Sequence, residues 1–131
     1  LLDKYPKDIK LVLKNFPLPM HPFARKAAVA ALAANKQGKY WEFSQKLFEN
    51  FSSLSDAKIQ DIAMQLGLDM EKFNRDLNDA SIQHIIDRDI SDAEKASVQG
   101  TPAIFINGRA LKNRKPNEFQ ELLESELKRK K

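Results

Sequence analysis

The stretch Gly100-Thr101-Pro102-Ala103-Ile104-Phe105-Ile106-Asn107-Gly108 decides how the rest of the chain is read. Ala103 to Ile106 is apolar without interruption, as expected of a strand buried on both faces. The Asn107-Gly108 pair that follows is the strongest two-residue hairpin signal, because both central residues of a type I′ turn need a positive φ. Arg109 to Lys112 is therefore expected to return antiparallel to Ala103–Ile106.

Beyond the hairpin, Pro116 or Asn117 opens a final helix. Gln120 stands where it closes a capping box on Asn117, and Phe119, Leu122, Leu123 and Leu127 face the core. Upstream, Pro22 to about Val98 reads as four or five helices with short connections. Phe23, Ala27, Ala28, Ala31 and Leu32 make a small-residue face, and Tyr40, Phe43, Leu47, Phe48 and Phe51 an aromatic stripe to pack on it. Ser55 is placed to cap a helix carrying Ile59, Ile62, Ala63 and Leu66, which Gly67 stops. Asp69 is placed to cap a shorter one with Met70, Phe73 and Leu77, and a longer helix follows with Ile82, Ile85, Ile86, Ile90 and Ala93.

Ahead of this block, Ile9 to Phe16 reads as a strand with Ile9, Leu11 and Leu13 on one face; Pro17 ends it. The order is strand, helical block, hairpin, helix. Three strands are few for such a layout, since a hairpin with one more strand is only marginally stable. Something is expected to lie beside or between them.

The chain has 131 residues, enough for one compact core. It has 42% hydrophobic and 31% charged residues with few glycines and prolines, the profile of a folded, helix-rich protein. The net charge of +4 equals the four cations of Lys128-Arg129-Lys130-Lys131, so the remainder is near neutral and nucleic-acid binding has no support from charge. No run of about 18 apolar residues suggests a membrane span. The opening Leu1-Leu2-Asp3-Lys4-Tyr5 has neither an initiator Met nor the layout of a signal peptide, and reads like the middle of a longer chain. There is no cysteine, which excludes disulfides, Cys-zinc sites and thiol chemistry within these residues. The two histidines, His21 and His84, have no partner at ligand spacing, so neither a metal site nor a cofactor is expected.

Leu13 to Pro22 (LKNFPLPMHP), the Ala-rich helix, Gln37 to Phe43 (QGKYWEF), Leu66-Gly67-Leu68-Asp69 and Val98 to Gly108 (VQGTPAIFING) together resemble DsbA-family thioredoxin-like proteins. The resemblance runs through nearly the whole chain and rests on the order and spacing of its pieces. It implies an α/β, thioredoxin-like fold with an inserted helical domain, lacking the N-terminal strand and the active-site helix that opens with Cys-x-x-Cys. It implies a divided layout, with 1–20 and 99–131 forming a partial thioredoxin-like domain and 21–98 the insertion. In that family the missing strand lies between the counterparts of Ile9–Phe16 and Ala103–Ile106.

The resemblance also implies the chemistry. The parent activity is disulfide formation or exchange in exported proteins, in a periplasmic or otherwise extracytoplasmic compartment. Its partners are thiol-containing or unfolded polypeptides and a redox partner protein. Pro102 matches the family's cis-proline, and Thr101 the residue whose backbone pairs with bound substrate; His21 helps to shape the groove. A trans proline opening an ordinary strand, and a loop histidine without chemistry, are the plain alternatives. Without thiols the chain itself is expected to be inactive, because disulfide exchange requires a thiolate. A cysteine-free peptide-binding or assembly module of the same fold is the alternative function. Exposed strand edges are expected to promote self-association.

The remaining charged groups have modest readings. Lys14 interrupts an otherwise apolar strand and is read as a rim lysine in preference to a group tuning a thiolate. Glu42, Glu49, Asp87, Arg88 and Asp89 are read as solvated faces, and His84 as helix surface.

Overall fold

The structure, a computed structural model, describes residues 7–17, 23–98, 103–111 and 116–129. The chain divides into two compact units, one gathering the described residues of Leu1–Leu13 and Ser97–Lys131, the other Lys14–Ala96.

The larger unit contains five α-helices: α1 (Ala24–Asn35), α2 (Tyr40–Glu49), α3 (Asp56–Gln65), α4 (Met70–Asp76) and α5 (Ala80–Lys95), with a 3-10 turn at Phe51–Ser53. The expected caps form. Ser55 accepts the Lys58 amide at 3.0 Å and Asp69 the Lys72 amide at 3.1 Å, each satisfying an amide that lacks a partner within its helix. Asp79 does the same for α5 through Ser81, a cap the periodicity did not single out. Gly67 ends α3 at φ 71°, a backbone setting that side-chain-bearing residues resist.

Helix α1 is more enclosed than a one-sided Ala face implies. Val29, Ala30, Ala31, Ala33 and Ala34 are all buried, and α1 packs against α2, α3, α4 and α5. Alanine allows that, because it lets neighbouring helices approach from several sides without a steric or rotamer cost. The core is completed by Phe43, Ile59, Ile62, Ala63, Leu68, Phe73, Ile82 and Ile86, with the Phe43 and Phe73 rings 5.7 Å apart. The expected aromatic stripe splits. Tyr40, Phe43 and Leu47 face this core, but Phe48 and Phe51 are exposed at 79% and 66%. Phe48 sits five residues after Phe43, about 140° round the helix from the buried line, and Phe51 lies beyond the end of α2.

The smaller unit contains a two-stranded antiparallel sheet, β1 (Phe105–Ile106) and β2 (Arg109–Ala110), followed by α6 (Pro116–Arg129). The register pairs Ile106 with Arg109 and Phe105 with Ala110 around the expected Asn107–Gly108 turn, whose residues both have positive φ. Beyond β2 the Leu111 amide still donates to the Ile104 carbonyl at 2.9 Å. The expectation that β1 is buried on both faces is corrected: Phe105 is 41% exposed, while Ile104 and Ile106 are partly covered on the other face, where α6 packs with Leu123 buried.

Ile9–Phe16 forms no ladder, and this too is a correction. No backbone-to-backbone hydrogen bond joins residues 7–17 to any described residue, and Leu11, Val12 and Leu13 are each more than half exposed. A strand exists only through its neighbour, so a sequence with strand character but no adjacent strand remains unassigned.

Candidate functional site

The residues read as contacting substrate, Thr101, Pro102 and His21, lie outside the described residues. What is described is the chain that follows Pro102: Ala103, Ile104 and the hairpin, with β1 packed against α6.

That hold is polar as well as apolar. Glu126 on α6 is 7% exposed and accepts hydrogen bonds from the Arg109 guanidinium at 3.0 Å, from the Asn107 side-chain amide at 3.4 Å, and from Arg129 one turn along at 3.4 Å. The Arg109 hydrogen bond, then that from Asn107, lowers the Glu126 pKa below the usual glutamate range, so the group stays ionised despite its burial. Sequence reading passed over Glu126. Its signal was there, since 119, 122/123 and 126 fall on one helical line, and a carboxylate on that line needs partners from across the interface.

Beside the hairpin lies a cleft of about 890 Å³ lined by Ile9, Leu11, Leu13, Ile104, Phe105 and Leu123 among others. Its charged lining residues are Asp8, Lys10 and Glu126. This is an apolar trough between the Ile9–Leu13 segment and β1, floored in part by α6.

In the helical unit Lys14 and Asn15 dock onto α5. Lys14 Nζ donates to Asp92 at 2.5 Å and lies 3.7 Å from Asp89. Asp89 Oδ2 accepts both the backbone amide and the side-chain amide of Asn15, each at 3.0 Å. The hydrogen bond to Asp92 raises the Lys14 pKa and correspondingly lowers that of Asp92. Lys14 is thus a half-exposed cation matched by its own carboxylates, which favours the rim reading. Asp89, read as solvated, is in fact 4% exposed and anchors the chain entering the helices. Glu42 and Glu49 are exposed and ion-paired to Lys39 and Lys46, and His84 lies at the surface. Among the described residues no group of His, Asp or Glu has the arrangement of a metal site.

A family model described as Thioredoxin matches residues 1–125. The chain belongs to the thioredoxin family. Among solved structures this thioredoxin-family chain is similar to a thioredoxin-like oxidoreductase from Silicibacter pomeroyi DSS-3, with a TM-score of 0.72 and 26% identity over 88% of this chain and 66% of that one. The α/β, thioredoxin-like fold and the membership in a DsbA-like thioredoxin-fold family expected from the sequence both hold.

Curated relatives include the Na(+)/H(+) antiporter NhaA 1 of Salinispora arenicola, 38% identical over 78% of this chain and 16% of the relative. They also include the Na(+)/H(+) antiporter NhaA of Herminiimonas arsenicoxydans, 32% identical over 80% of this chain and 17% of the relative. The thioredoxin-family chain therefore spans only about a sixth of the length of these relatives, whose names describe much larger polypeptides. No helix among the described residues is long and apolar enough to cross a membrane.

Proposed function

We propose that this chain is the scaffold and substrate-positioning part of a DsbA-like thiol-disulfide oxidoreductase that acts on exported polypeptides outside the cytoplasm. The observation that carries this reading is the thioredoxin-family match running through residues 1–125, supported by the fold shared with an oxidoreductase.

The 131 residues contain no cysteine, so the redox couple must come from a disulfide that they do not contain. In the forming direction a substrate thiolate attacks that disulfide, one of its sulfurs leaves as a thiolate, and a mixed disulfide results. A second substrate thiolate then displaces the remaining enzyme sulfur. The substrate ends as a disulfide, having lost two electrons, and the enzyme disulfide ends as a dithiol. The role of this chain is to orient the substrate: the Thr101 backbone pairs with an extended peptide, Pro102 keeps the loop in shape, and His21 borders the groove. The hairpin pinned by Arg109 and Glu126 fixes the chain immediately after that loop.

Titrating the isotope-labelled chain with an unfolded polypeptide whose thiols are alkylated tests the positioning role without redox chemistry. Amide shifts centred on Thr101, Ala103 and Ile104 are expected, and Thr101→Pro, which removes the pairing amide, should abolish them. Shifts that avoid this loop, or no binding at all, would overturn the reading.

The lack of cysteine equally favours a second reading, a peptide-binding module without redox chemistry. Thiol titration of the natural polypeptide separates the two: two titratable thiols for the oxidoreductase, none for the module.

A further inference from the structure

A recess of about 510 Å³ lies wholly within the helical unit, lined from α1, α3, α4 and α5. That size is within the range of about 300–1,000 Å³ usual for ligand sites. Its floor is aliphatic, with Val29 and Ile59 buried and Leu77 partly covered. Around the floor stand four carboxamides, Gln60, Asn74, Asn78 and Gln83. Hydrogen bonds already made fix how these amides are presented. Gln83 accepts the Arg25 Nε–H at 2.9 Å through Oε1, and Asn74 accepts from Gln60 Nε2 at 2.6 Å through Oδ1. Both have their acceptor end committed, while their NH2 groups have no partner among the described residues. Asn78 is the reverse, since its Nδ2 donates to the Asn74 carbonyl at 3.2 Å and Oδ1 is left to accept. Gln60 likewise donates within the rim and retains Oε1. Donors from Asn74 and Gln83 and acceptors from Gln60 and Asn78 therefore surround an aliphatic floor, open to water or a ligand.

The charges beside these amides are already matched. Arg25 Nη2 is 2.6 Å from Asp87, and Lys26 Nζ lies 3.3 Å from Asp56 and 5.3 Å from the centre of the Phe23 ring. An anionic ligand would have to displace those carboxylates, so the rim favours a neutral partner. A lipid tail would cover the four amides without satisfying them. The main chain of a polypeptide is neutral, alternates a strong acceptor with a strong donor, and places a side chain between them that can rest on the floor.

We propose that this recess is a second contact site for polypeptide, separate from the Thr101–Pro102 loop, that holds a short uncharged segment by its main chain. The NH2 groups of Asn74 and Gln83 donate to peptide carbonyls, and the side-chain oxygens of Gln60 and Asn78 accept from peptide N–H groups. One aliphatic side chain of the segment covers Val29, Ile59 and Leu77. Because the contacts are to the main chain, the site discriminates by charge and by the size of one side chain and is otherwise indifferent to sequence, as a site for unfolded chains requires. The inference rests on the proposed function in taking polypeptide as the substrate class, and adds where on the helical unit such a chain is held.

The test is a titration of the isotope-labelled, full 131-residue chain with the tripeptide alanyl-valyl-alanine, acetylated and amidated at its ends, followed by nuclear magnetic resonance. Saturable shifts of the side-chain NH2 signals of Asn74 and Gln83 are expected. Gln83→Glu and Asn74→Asp each keep the oxygen that accepts the inner bond and lose the outward donor, so each should weaken binding about 5-fold. Should either variant lose helical circular dichroism, the same peptide methylated on its valine nitrogen carries the test on the unaltered chain, again with about 5-fold weaker binding expected. Maltose, neutral and rich in hydroxyls, should leave these signals in place. Signals of Thr101, Ala103 and Ile104 are read in the same spectra, so loss of binding at the loop and loss of binding at the recess are separate results. Absence of saturable NH2 shifts, equal affinity of both folded variants, no effect of the methylation, or shifts produced by maltose at lower concentration than by the peptide would each overturn the proposal.

Discussion

Arg109 in the hairpin and Glu126 on α6 meet at 3.0 Å, joining two elements 17 residues apart in sequence around a carboxylate that is 7% exposed. The pair fixes the hairpin to the helix behind it. Removing Arg109 takes away the shortest of the Glu126 contacts and leaves a buried charge held only by the longer ones from Asn107 and Arg129. Arg109→Ala should therefore speed hydrogen exchange of the Leu111 amide several-fold while leaving amides of α1 unaffected. Unchanged exchange at Leu111 would show that apolar packing alone holds the hairpin.

The Lys36 ion pair with Asp79 gives a defined pH dependence. The hydrogen bond from Lys36, followed by those from Ser81, lowers the Asp79 pKa to about 2 from an ordinary 3.8. A carboxylate depressed on folding contributes stability that is complete above its unfolded pKa and is lost as pH falls toward the folded value. The contribution should be flat above about pH 5 and disappear between roughly pH 4 and 2. Acid titration of thermal stability for Asp79→Asn, run beside the wild type, should show the two curves converging below pH 3; a constant gap down to pH 2 would refute the assignment.

Ser55 is the sole side chain capping the α3 amides in the described contacts, through Lys58 N–H at 3.0 Å. Ser55→Ala should destabilise the helical unit by about 1 kcal/mol, and Ser55→Asp should restore most of it. Urea unfolding followed by circular dichroism measures both.

Phe43 is fully buried against Phe73. Phe43→Ala removes a ring from a core made up otherwise of Phe73 and of aliphatic and alanine side chains already packed against one another, and should cost about 3–5 kcal/mol. The expected readout is a lower urea midpoint with an unchanged slope; a loss below 1 kcal/mol would indicate a core that collapses around the void.

Asp89 satisfies the backbone amide of Asn15 and its side chain together. Asp89→Leu should leave that amide without an acceptor, costing about 1–3 kcal/mol, and should raise proteolytic cleavage near Asn15. Equal cleavage of the two proteins would mean that Asn15 is held by other contacts.

What the sequence made legible follows from the range of the interactions involved. The helices of the larger unit, the caps at Ser55 and Asp69 and the turn at Asn107–Gly108 are set within a few residues, and all of them form as read. The Ile9–Phe16 segment has a strand's alternation, but a ladder needs a second strand from elsewhere, which no local pattern supplies. Phe48 and Phe51 were placed in the core because they are aromatic, although the helical angle puts Phe48 off the buried line. Asp89 is illegible as an anchor because its partner, Asn15, lies 74 residues away, whereas Glu126, whose partner Arg109 is 17 residues away, is marked in the sequence by its place on the buried line of α6. The family resemblance held for the fold, while Thr101, Pro102 and His21 remain expectations about the loop.

The Asn107–Gly108 turn has one more consequence, on the time scale of storage instead of folding. An asparagine followed by glycine on an exposed turn is disposed to spontaneous deamidation, in which the glycine nitrogen closes on the side-chain carbonyl, ammonia leaves, and hydrolysis yields aspartate or isoaspartate. At position 107 that change would turn a donor to Glu126 into a second anion beside it. The same two residues that let the hairpin form so readily would thus give it a limited shelf life, and aged protein would be expected to lose its grip on α6 from the turn inward.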